Sequence, residues 1–187
     1  MKDIAKILIT EREIDEVTTR IAKEIDRDYG EGSGRRLVLL CVLKGSIVFM
    51  GDVMKKITVP LEIACMKVSS YGAGTVTTGT VNIHLDLIRP DLDECDILIV
   101  EDIIDSGITL TYLKKYLLGK GARSVRTCTL LDKPSRRAVE FTPDYRGFEI
   151  PDEFVVGYGL DYNELYRALP FVGVLEPWVY SKETEKS

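Results

Sequence analysis

Histidine is almost missing from this chain: His84 is the only one among 187 residues. One imidazole cannot build a histidine-based metal centre, and His84 has no serine or cysteine elbow near it for a histidine base to activate. It reads as structural or loop-borne. Cysteine is sparse as well. Cys41, Cys65, Cys95 and Cys128 are widely spaced, form no CxxC pair and lie in or beside apolar strand-like runs, a pattern of reduced core thiols. No apolar run approaches a membrane span, and the opening MKDIAKILIT carries charges among its apolar residues, so no membrane partner is expected and the expected location is the cytoplasm. Positive charge is also short, with 25 Lys and Arg against 30 Asp and Glu and a net charge of -5. A surface that neutralises many nucleic-acid phosphates is therefore not expected, and any phosphate ligand must be held locally.

What remains is the composition of an ordinary soluble protein, 45% hydrophobic and 29% charged. The length suffices for a hydrophobic core without disulfide or metal support, and one domain over residues 1–187 is the expectation. Thr10 and Glu13 form a capping-box pair, after which Ile14, Val17, Ile21 and Ile25 recur at helical spacing until Tyr29 and Gly30. Residues 37–43 are a continuous apolar run, as in strands covered on both faces. A helix over residues 46–57 follows directly. Residues 62–69 and 81–87 read as strands, and the Gly/Thr-rich YGAGTVTTGT between them reads as a mobile loop. A short strand over residues 96–100 ends in acidic residues, a helix spans roughly 109–118, and residues 124–131 make another strand. Strands alternating with helices imply a largely parallel sheet with its ligand loops at the strands' carboxyl ends.

The most informative string is VEDIIDSGITL, residues 100–110, in which a buried strand meets two carboxylates and then enters a helix through Asp-Ser-Gly. The unpaired N–H groups and positive dipole end of a helix start favour phosphate. Gly107 allows close approach, and Ser106 and Thr109 add hydroxyls. Glu101 and Asp102 accept hydrogen bonds only, which suits the paired hydroxyls of a ribose. Read blandly, Asp105 or Ser106 caps the helix and the acidic pair are solvated strand-end charges. The whole string, however, closely resembles the phosphoribosyl pyrophosphate motif of type I phosphoribosyltransferases.

That resemblance runs from about residue 37 to residue 176 and is similar to the bacterial hypoxanthine (hypoxanthine-guanine) branch of the family. It implies an α/β fold with a mainly parallel central sheet flanked by helices and a small hood built from terminal segments. VLKGS, residues 42–46, matches the family's pyrophosphate loop, which implies contacts from Leu43, Lys44 and Gly45 and a cis peptide between Leu43 and Lys44. Ser70 and Tyr71 match the start of a flexible catalytic lid over about residues 70–80, suited to excluding water. In LLDKPSRR and GFEIPDEFVVGYGLDYNELYR the resemblance identifies Lys133 as the purine-contacting lysine, Phe154 as the stacking aromatic and Val155 as a backbone contact to the base. It makes Asp161 part of the same base-side set and a magnesium ligand, with Glu101 and Asp102 as further acidic candidates for Mg2+, and Arg167 a pyrophosphate contact. These base-recognition segments occupy about residues 133–180. The phosphate cradle comprises Asp105, Ser106, Gly107, Ile108 and Thr109. Ile108 departs from relatives that carry a polar residue there, and the missing side-chain donor is worth on the order of 1 kcal/mol.

The implied reaction is purine salvage: phosphoribosyl pyrophosphate and hypoxanthine, or guanine, give IMP or GMP and pyrophosphate, with Asp105 as general base. A homodimer or homotetramer is expected from the same resemblance. A second reading is a regulator that keeps the fold to sense nucleotides while binding RNA or DNA. It lacks a helix-turn-helix segment and any basic cluster beyond Arg136 and Arg137. A third is the same chemistry on another base, such as xanthine.

Overall fold

The computed structural model describes residues 2–30, 36–70 and 81–181. Its first helix, α1 (Glu11–Tyr29), begins as the capping box requires: the Glu13 N–H donates to Thr10 Oγ1, and the Thr10 N–H donates to Glu13 Oε2 at 2.8 Å. Ile14, Val17, Ile21 and Ile25 form its buried stripe. The next strand, β2 (Arg36–Leu43), explains its own unbroken apolar run. Leu37, Leu39 and Cys41 pack on the side of α1, whereas Val38, Leu40 and Val42 point into a second core on the opposite face.

A short helix α2 (Ile47–Met54) follows, with the Lys56 and Ile57 N–H groups still bonding back to Val53 O, so the sequence reading to residue 57 included a trailing turn. Strands β3 (Leu61–Ser70) and β4 (Val81–Leu85) are antiparallel, and β4 stops two residues earlier than expected. Then come β5 (Cys95–Ile104), α3 (Ile108–Gly119), β6 (Ser124–Asp132) and β7 (Tyr145–Glu149). Among the described residues the large sheet has six strands in the order β4-β3-β2-β5-β6-β7, parallel except at β4. A second, antiparallel sheet joins β1 (Ile4–Ile9), β9 (Val172–Leu175) and β8 (Val155–Val156) in the order β1-β9-β8. A single helical turn, α4 (Pro177–Tyr180), follows it.

Two corrections bear on the site. The first strand was not expected from MKDIAKILIT; it exists because β9, far along the chain, pairs with it and completes the hood. Strand β5 does not end at Val100. Its pairing with β2 does end there, but β6 continues alongside as far as Ile104 opposite Asp132, so the backbone stays extended through both carboxylates.

Candidate active site

Because β2 leaves the sheet at Leu43 while β5 runs on to Ile104, a hollow opens at the carboxyl end of the two central strands. It is a cavity of about 260 Å³ lined by Leu43, Glu101, Asp105, Ser106, Gly107 and Thr109 among others. Gly107 is the N-cap of α3 and takes a left-handed backbone with φ of 78°. A side chain there would also press on Arg137, Val139 and Phe141. Gly107, rather than Asp105 or Ser106, is the N-cap residue, and among the described residues no Asp105 side-chain bond holds the helix start. Ser106 Oγ instead accepts from the Ile108 N–H at 3.3 Å, and Ile108 takes part through its backbone. Beyond Ile108, the Thr109 and Leu110 N–H groups in the first turn of α3 have no intrahelical acceptor and are available to phosphate.

Glu101 lines this cavity, and Asp102 follows it on the same strand. Burial, together with the neighbouring Asp102 carboxylate, pushes the Glu101 carboxyl well above its usual range, and burial raises Asp102 as well. Glu101 Oε2 is a buried acceptor with no partner among the described residues, as expected of a group awaiting a hydroxyl or a hard cation. Asp102 Oδ1 accepts from the Ile103 N–H at 2.8 Å. Its other oxygen lies where a Cβ on Gly45 would be, so only glycine fits between this carboxylate and the loop.

The Leu43–Lys44 peptide is cis, as the sequence resemblance implied. Ser46, fully buried, donates to Val42 O at 2.6 Å and fixes the far end of the Lys44-Gly45 loop. Gly159, with φ of 101°, lies against Gly45 O from the hood side and leaves no room for a side chain. Arg167 NH1 donates to Gly159 O at 2.8 Å, and its NH2 lies 2.8 Å from Asp161 Oδ1. Leu43, Lys44, Gly45, Asp161 and Arg167 are thus gathered on one wall. Asp161 belongs to this wall and is absent from the lining of the base-side cavity described next.

That second cavity, about 380 Å³, shares Ile103 and Asp105 with the first and is lined by Lys133, Phe154, Val155 and Tyr180. Lys133 is 7% exposed, its ammonium donating to Glu153 O at 2.7 Å and lying 3.9 Å from Asp105 Oδ1. A lysine so buried is uncommon, and this one lines a cavity. Phe154 stacks on Tyr180 with centroids 4.9 Å apart and receives Tyr162 edge-on, which fixes the ring plane. Ser70 ends β3. Tyr71 and the rest of the expected lid, to residue 80, lie outside the described residues.

Sequence reasoning missed Arg137, beyond noting it as basic. Its NH1 donates to Asp105 O at 2.6 Å, and its NH2 pairs with the buried Asp132 carboxylate, tying the phosphate loop to the strand that delivers Lys133. The Ala138 N–H adds a bond to Ser106 O. No local signal marks Arg137, because its partners come from β6 and the β5–α3 loop. Among the described residues, Arg137→Met would leave the Asp132 carboxylate with Arg146, at 3.4 Å, as its one cationic partner. Losing a buried partner of this kind is expected to lower the melting temperature by roughly 5 to 10 °C and to weaken donor binding, read by thermal scan and calorimetry.

Among the described residues no three His, Cys, Asp or Glu side chains come close enough to hold a metal by themselves. Magnesium seldom needs such a cage: one or two carboxylates with substrate phosphate oxygens suffice, and the oxygen set of Glu101, Asp102 and Asp161 fits that manner of binding.

An acidic pair carried near the end of strand β5, a glycine-capped helix start and an adjoining hooded cavity are the arrangement of a phosphosugar-handling transferase fold. The chain belongs to the phosphoribosyl transferase family, whose domain model matches residues 5–163. It is 49% identical over 181 residues to the hypoxanthine-guanine phosphoribosyltransferase of Lactococcus lactis, covering 97% of this chain and 96% of that protein. It is also 48% identical over 180 residues to the bifunctional protein TilS/HprT of Listeria monocytogenes, covering 96% of this chain but only 27% of that longer protein. A crystal structure of a hypoxanthine phosphoribosyltransferase from Staphylococcus aureus superposes with a TM-score of 0.90 at 44% identity, covering 96% of this chain and 95% of the other.

Proposed function

We propose that this protein salvages purines, transferring the 5-phosphoribosyl group of phosphoribosyl pyrophosphate to hypoxanthine, and to guanine, with release of IMP or GMP and pyrophosphate. The observation that carries this reading is the placement of Asp105, at the junction of a phosphate-sized cradle and a second cavity containing a buried lysine and a fixed aromatic ring. The 5-phosphate rests on residues 105–109 and the ribose hydroxyls on Glu101 and Asp102. The pyrophosphate lies toward Lys44 and Arg167. The purine enters the hood cavity against Phe154, with the backbone of Val155 at its edge and its 6-oxo group toward Lys133. As N9 bonds to the ribosyl carbon and the bond to pyrophosphate breaks, Asp105 takes or stabilises the proton at N7. Bound magnesium, held through carboxylates of the set Glu101, Asp102 and Asp161, would offset charge on the departing pyrophosphate.

The relatives named above support the same chemistry, and the intact base cavity counts against a nucleotide-sensing regulator of RNA or DNA. No helix among the described residues is long and apolar enough to cross a membrane, and all four cysteines are free. Free thiols support a cytoplasmic setting, and assembly as a homodimer or homotetramer remains part of the proposal.

The test is nucleotide formation with donor, magnesium and each base in turn. Hypoxanthine and guanine are expected to be consumed with pyrophosphate release. Donor binding without turnover would instead support a regulator, and selective use of xanthine would move the substrate assignment.

A further inference from the structure

Lys44 and Arg167 come from opposite sides of the site, one from the loop after β2 and the other from the hood, yet one side chain holds both. Glu164 Oε1 lies 2.8 Å from Lys44 Nζ, and Glu164 Oε2 lies 3.2 Å from Arg167 NH2. The backbone is bent to allow this. Asn163 and Glu164 have φ values of 50° and 63°, left-handed conformations that non-glycine residues rarely adopt, within a turn closed by the Tyr162–Leu165 bridge. The Glu164 N–H donates to Asp161 Oδ2 at 2.9 Å, which locks the turn to the carboxylate that also holds Arg167.

We infer that Glu164 is a positioning residue that occupies Lys44 and Arg167 as an internal stand-in for pyrophosphate, yielding both cations when pyrophosphate arrives and reclaiming them when it leaves. This rests on the assignment of those two cations to pyrophosphate. The charges of Lys44 and Arg167 are balanced by Asp161 and Glu164. Pyrophosphate carries more charge than one carboxylate and spans both cations, so it displaces Glu164, but it must first break two ion pairs. Those pairs are largely exposed, so each is worth little and the competition is easily reversed. The effect on the reaction is to weaken pyrophosphate as a retained product while keeping its two anchors in place for the next donor.

The test compares wild type, Glu164→Gln and Glu164→Asp in the nucleotide-forming assay, with pyrophosphate as inhibitor against the donor. Gln keeps the size and removes the charge. Glu164→Gln is expected to bind pyrophosphate about 3- to 10-fold more tightly at low salt, with the donor KM falling in parallel. The gain should shrink at 0.5 M salt, because the displaced pairs are screened. Glu164→Asp, which keeps the charge, should remain nearer to wild type. A residue that only braces the turn predicts the opposite sign, weaker pyrophosphate binding in Glu164→Gln. With turnover present in wild type, unchanged or weaker pyrophosphate inhibition in Glu164→Gln, at a melting temperature close to wild type, would overturn this inference alone. A wild-type protein that forms no nucleotide would overturn the functional reading beneath it.

Discussion

Replacing Asp105 by asparagine is expected to slow single-turnover nucleotide formation about 100- to 10,000-fold, while donor affinity stays within a few-fold of wild type. The separation follows from where the two parts of this residue sit. Its backbone carbonyl is held by Arg137 at 2.6 Å and helps fix the phosphate loop, a contact the substitution leaves untouched. Its carboxylate reaches instead into the space between the two cavities, 3.9 Å from the Lys133 ammonium. Asparagine has nearly the same shape and can still accept a hydrogen bond, but it does not take up a proton at neutral pH. Asp152, also near Lys133, is 3.4 Å from an Arg136 nitrogen and is poorly placed to substitute. Rapid-quench measurement of a single turnover isolates chemistry from product release, and calorimetry with the donor and magnesium reads binding. An unchanged single-turnover rate would remove Asp105 from the general-base role.

The parts of the molecule legible in the sequence are those whose cause is local. Thr10 and Glu13 satisfy each other across one turn, so α1 could be placed to the residue. The unbroken run in β2 announces a strand covered on both faces, and Asp-Ser-Gly before an apolar helix announces the cradle. The acidic pair was legible as chemistry but misleading as structure, since charges at 101 and 102 suggest the end of a strand that β6 in fact extends. What was not legible depends on distant partners. Strand β1 is a short apolar segment with one lysine, IAKILI, that would suit many conformations, and β9 selects the extended one. Arg137 looks like a surface cation because its bond to Asp105 O, which ties it to the site, spans 32 residues. Glu164 could have been found from the spacing of Asp161, Glu164 and Arg167, three residues apart in turn. Lys44, which gives that spacing its meaning, is 120 residues away.

Replacing Lys133 by methionine is expected to lower the specificity constant for hypoxanthine by about 5- to 150-fold and to leave the trace rate with adenine nearly unchanged. Lysine offers only donors, so a 6-oxo group facing it completes a hydrogen bond, whereas the 6-amino group of adenine sets donor against donor. In a closed cavity the mismatch leaves a buried polar group unpaired, at about 1 to 3 kcal/mol, which corresponds to the range given. The expected discrimination follows from how little freedom the Lys133 ammonium has to turn aside. It is 7% exposed, bonded to Glu153 O at 2.7 Å, and placed between Asp105 and Asp152 at 3.9 and 4.0 Å. Methionine keeps much of the stem and its packing while deleting the charge and all three donors. The loss should therefore fall on the hypoxanthine interaction more than on the fold, and a thermal scan of the variant checks that separation. Hypoxanthine and guanine should lose similar factors, since both present the same acceptor at position 6. The deciding quantity is the hypoxanthine-to-adenine ratio of kcat/KM in wild type and variant, and an unchanged ratio would leave Lys133 a buried structural lysine with no part in choosing the base.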